Sequence, residues 1–294
     1  MERKVLSESS AFRCVGVLYH PKILETHPVA EEISMWLNGR GIESWLESTW
    51  HEASVRGRIP ELDLLVVLGG DGSMLRAARM AVGYDVPLVG VNMGRLGFLS
   101  ELQPDTWRDR MPNILAGDYW LEERMMLNTT AWRDSELLGE HVALNDVVVS
   151  RGSLARVVRL HTDIDGDYLT TYVADGLIIS TPTGSTAYAL AVGGPILPPD
   201  LHNILVIPIA PHLTLGRAIV LSEGSRVVVN VGTDHQAILT VDGQFEFELQ
   251  DGDRVEIQAS PHVSHFIRLG KRTYFYHTLL ARLALRQYGG SQET

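Results

Sequence analysis

The chain has 294 residues, 45% hydrophobic and 21% charged, a globular balance large enough for a sizeable core and for two domains. Its formal net charge of -11 excludes a general nucleic-acid binder, which would carry a basic face, but leaves room for a local basic pocket. One cysteine, Cys14, rules out an internal disulfide and points to a reducing compartment; no apolar run reaches membrane length, and Met1-Glu2-Arg3-Lys4 lacks a signal-peptide core. These features predict a cytoplasmic protein with no membrane partner and a buried, inert Cys14 thiol.

Residues 1 to about 10 are polar and read as loose. Phe12 to Tyr19 reads as a strand ended by His20-Pro21. A helix is expected from Pro28, with Glu31 and Glu32 near its positive end, an apolar face of Ile33, Trp36 and Leu37, and Gly39 and Gly41 as its stop. Ile42 to Leu46 fits a second strand, and the polar, basic stretch His51 to Arg58 reads as a surface loop. Leu64 to Leu68 is a run of five apolar residues, the mark of a strand buried on both faces. It stops at Gly69-Gly70, after which Leu75, Ala78 and Val82 repeat at helical spacing. Val86 to Asn92 gives another strand, which runs into the second glycine turn, Met93-Gly94-Arg95-Leu96-Gly97-Phe98-Leu99. Strands alternating with helices imply a parallel sheet, whose ligands bind beyond the carboxyl ends of the strands. Both glycine turns sit at such ends.

The pattern changes near residue 120 to short strands: Leu127 to Trp132, His141 to Ser150, Leu154 to Thr162, Tyr168 to Val173 and Leu177 to Ile179. Ile204 to Ile207, Arg226 to Val231, Ala237 to Val241, Phe245 to Leu249 and Val255 to Gln258 follow in the same style. Asp165-Gly166, Asp242-Gly243 and Asp251-Gly252-Asp253 supply turns. A mostly antiparallel second domain results. Near the end, Tyr276, Leu279, Leu280 and Leu283 have helical spacing, and that helix is assigned no chemistry. The expected domains are 1–122, 123–272 and a terminal helical segment 273–294.

Asp71 stands where helix-start amides favour an anion, and a carboxylate there makes sense if it handles a proton or a metal ion. On its own the turn reads equally well as a shaped βα connection. Four polar stretches of the second domain add weight. Asn145-Asp146 interrupts an apolar strand pattern, Asp175-Gly176 precedes a buried strand, and Gln244 follows Asp242-Gly243. Ser180-Thr181-Pro182-Thr183-Gly184-Ser185-Thr186-Ala187-Tyr188 carries five Ser or Thr hydroxyls where one helix cap needs one. Such groups can bond ribose hydroxyls and base edges, and Tyr188 offers a face for stacking.

Gly69 to Ser73, Asn145-Asp146 and Asp175 through Tyr188, in this order and at these separations, resemble the NAD kinase family over about residues 60 to 250. The resemblance implies an N-terminal α/β domain, a mostly antiparallel, β-sandwich-like C-terminal domain with a C-terminal helix, and an active site between them. It implies phosphoryl transfer to the adenosine ribose 2′-hydroxyl of NAD from ATP or inorganic polyphosphate, Mg²⁺ or another divalent metal as cofactor, and a homodimer or homotetramer. Carried over by position, Asp71 would be the catalytic base, Gly72 would lie beside the substrate and Arg76 near phosphate. Asn145, Asp146, Asp175, Thr183, Thr186, Ala187, Tyr188, Ala189, Leu190 and Ala191 would bind NAD, with Arg156, Val173 and Gln244 as further contacts and Phe98 lining the pocket. Asp146 stands where the family usually has Glu, one methylene longer, and Val173 cannot supply the charged contact that some members make.

A lipid kinase sharing the glycine-aspartate turn would leave the hydroxyl-rich stretch unexplained, and a non-catalytic NAD-binding module would have no use for Asp71. No Walker-type G-x-x-x-x-G-K and no protein-kinase motif set is present.

Overall fold

The computed structural model describes residues 12–94, 97–152, 156–212 and 215–288. The polar first ten residues, Arg95-Leu96 of the second glycine turn and the start of Leu154–Thr162 lie outside them. The chain forms two compact units, Met1–Glu123 with Ser264–Thr294, and Arg124–Val263.

The first unit contains β1 (Cys14–Tyr19), α1 (Thr26–Asn38), β2 (Glu43–Ser48), α2 (Glu52–Arg58), β3 (Leu64–Gly69), α3 (Asp71–Met80), β4 (Leu88–Asn92) and α4 (Trp107–Leu115). Its strands pair in parallel in the order β2-β1-β3-β4. Every residue of β3 and β4 is buried, as continuous apolar runs in a parallel sheet require. Val15, Val17, Leu64, Val66 and Leu68 pack in one core with Ala30, Ile33 and Leu37 of α1 and Trp107, Met111 and Ile114 of α4. From β1 the chain turns to β2 on one side, and from β3 to β4 on the other. The order therefore switches between β1 and β3, where an α/β sheet opens a crevice at its carboxyl edge.

One expectation fails here. His51 to Arg58 is not a loop, because Glu52–Arg58 is helical. Val55, fully buried, is its one inward residue, and Arg56 bonds Glu52 one turn earlier. Only Ala53 and Val55 are apolar, which leaves no periodicity to read, so tertiary packing decides the element. The Cys14 thiol is half-buried and free, and burial, followed by the charge of Glu43, raises its pKa, which leaves it protonated and unreactive.

The second unit is antiparallel. Its elements are β5 (Trp120–Arg133, from Arg124 on), β6 (Glu136–Ala143), β7 (Asp146–Arg151), β8 (Val158–Ile164), β9 (Asp167–Ala174), β10 (Gly176–Ser180), the short α5 (Tyr188–Ala191), β11 (Asn203–Ile209), β12 (Ile219–Ser222), β13 (Val227–Gly232), β14 (Ala237–Val241), β15 (Phe245–Leu249) and β16 (Arg254–Arg268, as far as Val263). One sheet runs β12-β11-β10-β7-β14-β15. In the other, β9, β8, β13 and the first residues of β16 pair in that order. Val147, Val149, Leu177, Ile179 and Leu239 of the first sheet share a core with Leu160, Tyr172, Val229 and Ile257 of the second, a sandwich. Asp165 and Gly166 turn β8 into β9 with φ of 55° and 93°, as two-residue hairpins demand.

His141 to Ser150 reads as one strand in the sequence but is two. Ala143 pairs with Leu127 of β5, whereas β7 pairs with β10 and β14, so the chain changes partners at Leu144-Asn145. The final helix, α6 (Tyr274–Tyr288), forms as expected but turns a different face inward. Phe275 and Arg282 are buried, and Tyr276 and Leu280 are exposed. No helix among the described residues is long and apolar enough to cross a membrane.

Candidate active site

In the first unit, Asp71 opens α3 directly after the Gly69-Gly70 turn at the carboxyl end of β3. Its carboxylate accepts two backbone hydrogen bonds from the second glycine turn, Phe98 N–H to Oδ2 at 3.0 Å and Leu99 N–H to Oδ1 at 3.1 Å. The two turns are tied again by Met93 N–H, which donates to the Gly69 carbonyl at 3.1 Å. Gly97 permits this approach. A Cβ there would stand 2.0 Å from Asp71 Oδ1 and 2.5 Å from its Cγ, so no other residue fits without displacing the carboxylate. Each carboxylate oxygen has two acceptor sites, so an oxygen held by an amide retains a second for a hydroxyl.

Around the same strand ends, Gly72 is exposed and Arg76, within the second turn of α3, is half-buried. The Arg76 guanidinium lies 6.0 Å from the Trp50 ring, which also faces His20 at 5.9 Å and Lys22 at 4.7 Å. Burial, and next the positive charge of Arg76, lowers the pKa of His20. His20, Lys22 and Trp50 follow β1 and β2; nothing in their local spacing sets them apart, and parallel pairing alone brings them beside Arg76. Phe98, expected to line the pocket, is buried with its ring 5.3 Å from the Arg282 guanidinium; its amide is what holds Asp71.

In the second unit the structure gathers Asn145, Asp146, Asp242 and the hydroxyl-rich loop. Asp242, at φ 52° in the β14–β15 turn, accepts hydrogen bonds from the amides of Leu144 at 3.0 Å, Asn145 at 2.7 Å and Asp146 at 3.2 Å. From the other side, Thr181 donates its hydroxyl to the Leu144 carbonyl at 2.6 Å, and Ser180 donates to that of Asn145 at 3.1 Å. Gly184 completes the arrangement, since a Cβ there would meet the Asn145 carbonyl oxygen at 2.1 Å. The break between β6 and β7 is thus gripped on both sides, which fixes the half-buried Asn145.

The five hydroxyls are spent on this scaffold. Ser185 donates to the Pro182 carbonyl at 2.6 Å and accepts from Leu197 N–H at 3.0 Å; Thr186 donates to the Thr183 carbonyl at 3.2 Å; Thr183 accepts from Arg124 at 3.1 Å. They shape a buried loop and leave the following residues to present a surface. Ala189 is fully buried, anchoring α5 on Val148, Ile178 and Leu205, while the Tyr188 ring is 44% exposed and Ala187, Leu190 and Ala191 are at least partly so. Asp175 pairs with Arg151 at 2.9 Å, Arg156 with Asp234 at 3.3 Å, and the Val173 carbonyl accepts His212 N–H at 2.8 Å. Gln244 closes the β14–β15 turn through its N–H to the Val241 carbonyl at 2.9 Å. In the sequence, the Asp242 grip shows only as an Asp-Gly turn.

Two family models match the chain, the ATP-NAD kinase N-terminal domain over residues 15–119 and the ATP-NAD kinase C-terminal domain over residues 144–269. The chain belongs to the NAD kinase family. It is 40% identical over 269 residues to an NAD kinase of Chloroflexus aggregans, covering 92% of this chain and 98% of that one. With an NAD kinase of a Geobacter species it shares 42% over 259 residues, 84% of this chain and 90% of the relative. Among solved structures, an NAD kinase from Archaeoglobus fulgidus in complex with ATP superposes with a TM-score of 0.74 at 25% identity, covering 92% of this chain and 99% of that one. A yeast NADH kinase complexed with NADH has the same fold, with a TM-score of 0.78 at 24% identity over 99% of this chain and 94% of its own. The glycine-aspartate turn falls inside the N-terminal family match, and Asn145, Asp175 and the hydroxyl-rich loop inside the C-terminal one.

Asp146 is 5% exposed, and its pKa is pushed up to about 7 by burial and then by the negative charge of Asp242. The sign follows from proton binding. Between about pH 4 and 7 the folded protein keeps a proton that the unfolded chain releases, so stability falls as pH rises through that window and levels off above it. The slope is at most about 1.4 kcal/mol per pH unit. Asp146→Asn should flatten it, as read by urea unfolding at pH 5, 6, 7 and 8; an undiminished slope would assign the titration to another group.

Gly97→Ala tests the Asp71 grip. Since the new methyl displaces a carboxylate that two amides hold, kcat for phosphoryl transfer should fall by about tenfold or more in a variant of native circular dichroism. A silent alanine would mean that the close approach is incidental.

Proposed function

We propose that this chain transfers the γ-phosphoryl group of ATP to the 2′-hydroxyl of the adenosine ribose of NAD, forming NADP and ADP, with Asp71 as the general base. The observation that carries the assignment is a carboxylate at the switch point of a parallel sheet, held by two amides and opening a helix, in a chain of the NAD kinase family. A ribose hydroxyl is a poor nucleophile. Asp71 takes its proton as the oxygen–phosphorus bond forms and the bond from phosphorus to the bridging oxygen of ATP breaks. Arg76 supplies positive charge for the phosphates, and Gly72, exposed beside Asp71, leaves room for the substrate.

A divalent ion, Mg²⁺ or another, would arrive with the triphosphate. Among the described residues no three His, Cys, Asp or Glu side chains converge, a donor set that suits an ion held mainly by phosphate and water. When bound, it neutralises charge on the transferring group. NAD recognition falls to the second unit: the fixed Asn145, Asp146, Asp175 and the loop from Thr183 to Ala191, with the Tyr188 ring against the nucleotide and Arg156, Val173 and Gln244 as outer contacts. The exposed Tyr276 and Leu280 supply apolar surface for a homodimer or homotetramer, which light scattering on the purified chain reads. The same assay run with ATP and polyphosphate, and with NAD and NADH, ranks the donors and acceptors.

Asp71→Asn should abolish turnover while NAD affinity stays within about tenfold, because the amide keeps the shape but cannot accept the proton. Near-normal kcat would reduce Asp71 to a turn residue. Tyr188→Ala should weaken NAD by roughly 1–2 kcal/mol through lost stacking, read by calorimetric titration of the folded variant. An unchanged Kd would leave the ring without a ligand role.

A further inference from the structure

Arg282 of α6 is 5% exposed and forms no ion pair among the described residues, although burying a charge without a partner is costly. Its hydrogen bond goes instead to a backbone oxygen, from Nη1 to the carbonyl of Phe98 at 3.1 Å. The guanidinium is flanked by the rings of Phe98 at 5.3 Å and Tyr274 at 5.6 Å. The Phe98 carbonyl and the Leu99 N–H are the two ends of one planar peptide unit. One end accepts from Arg282, and the other donates to Asp71 Oδ1 at 3.1 Å.

Arg268 grips the same segment differently. It donates to the carbonyls of Leu99 at 3.0 Å and Phe98 at 3.4 Å, but its charge is matched by Glu122 at 2.8 Å and Glu101 at 3.4 Å. Tyr274 bonds the same Glu122 at 3.0 Å. Arg268 therefore sits in a neutralised, structural network, whereas Arg282, whose charge is felt by Asp71 and Glu101 without an ion pair to either, spends its hydrogen bond on one carbonyl. A cation on a carbonyl fixes the plane of that peptide and strengthens the hydrogen bond its N–H donates.

We propose that Arg282 is a positioning residue for catalysis, orienting and polarising the Phe98–Leu99 peptide so that its N–H holds the Asp71 carboxylate in its working position. The inference rests on the reading of Asp71 as the base. It gives α6, a helix without an evident chemical signature, a part in the reaction through a carbonyl.

The test uses the full chain and three variants. Arg282→Met keeps the apolar stem and removes the donor, Arg282→Lys restores one charged donor, and Phe275→Leu loosens the same helix from a neighbouring buried site. Arg282→Met should lower kcat about tenfold or more with KM for NAD and ATP within about threefold, and should speed hydrogen exchange at the Leu99 amide by about tenfold. Arg282→Lys should recover kcat to within about fivefold of the natural chain, and Phe275→Leu should lose stability without matching the fall in kcat. Full turnover in Arg282→Met, unchanged Leu99 exchange, or an equal loss of kcat in Phe275→Leu would each overturn the proposal. Should Arg282→Met fail to fold, a folded Arg282→Lys that loses more than about tenfold in kcat would overturn it as well. Failure of the underlying reading looks different: Asp71→Asn would then turn over normally while Leu99 exchange still responded to Arg282→Met.

Discussion

The hydrogen bonds from the Phe98 and Leu99 amides to Asp71 are the constraint on which the first unit's site depends. They require two turns at neighbouring strand ends to meet, and each requirement traces to sequence. The unbroken apolar run of β3 buries that strand on both faces and delivers Gly69 and Gly70 at its carboxyl edge. Parallel pairing with β4 brings the second turn alongside, Gly69 opposite Asn92. The missing side chain at Gly97 then lets the carboxylate come within bonding distance of the following amides. A carboxylate fixed in this way loses little further freedom when a hydroxyl arrives, which is what a general base needs.

The second unit solves a comparable problem with opposite means. Where the first unit fixes an acid with amides, the second fixes the amides of Leu144, Asn145 and Asp146 with an acid, Asp242. The hydroxyls of Ser180 and Thr181 satisfy the carbonyls that the strand break exposes, so the buried backbone at the break is hydrogen-bonded on both sides. The cost appears at Asp146, whose carboxyl shares this buried setting with Asp242 and is driven towards its neutral form. A protonated Asp146 donates as well as accepts, a capacity that an ionised acid lacks.

Much of this was legible in the sequence. Apolar runs and alternating patterns set the parallel first unit and the antiparallel second one, and the Asp-Gly pairs marked hairpin turns. Asp71, Asn145 and the hydroxyl-rich loop stood out because polar residues interrupted patterns that packing alone would keep apolar. What escaped has specific causes. Helix Glu52–Arg58 has one inward side chain and so no period. The break at Leu144-Asn145 arises from a change of strand partner, which local spacing does not encode. The hydroxyls signal an unusual loop, but their spacing does not say that most of their bonds go to the backbone. Arg282 is polar by type, and its burial depends on a carbonyl 184 residues earlier in the chain.

Phosphorus NMR of the products decides whether this chain phosphorylates the adenosine ribose 2′-hydroxyl of NAD. The purified chain is incubated with Mg²⁺ and ATP, and with either NAD or its analogue lacking the adenosine 2′-hydroxyl. The expected result is a new phosphomonoester at the 2′ position of NAD, one ADP for each, and no phosphorylated product from the analogue. Phosphate at another hydroxyl, equal reaction of the analogue, or transfer to a diacylglycerol in place of NAD would contradict it.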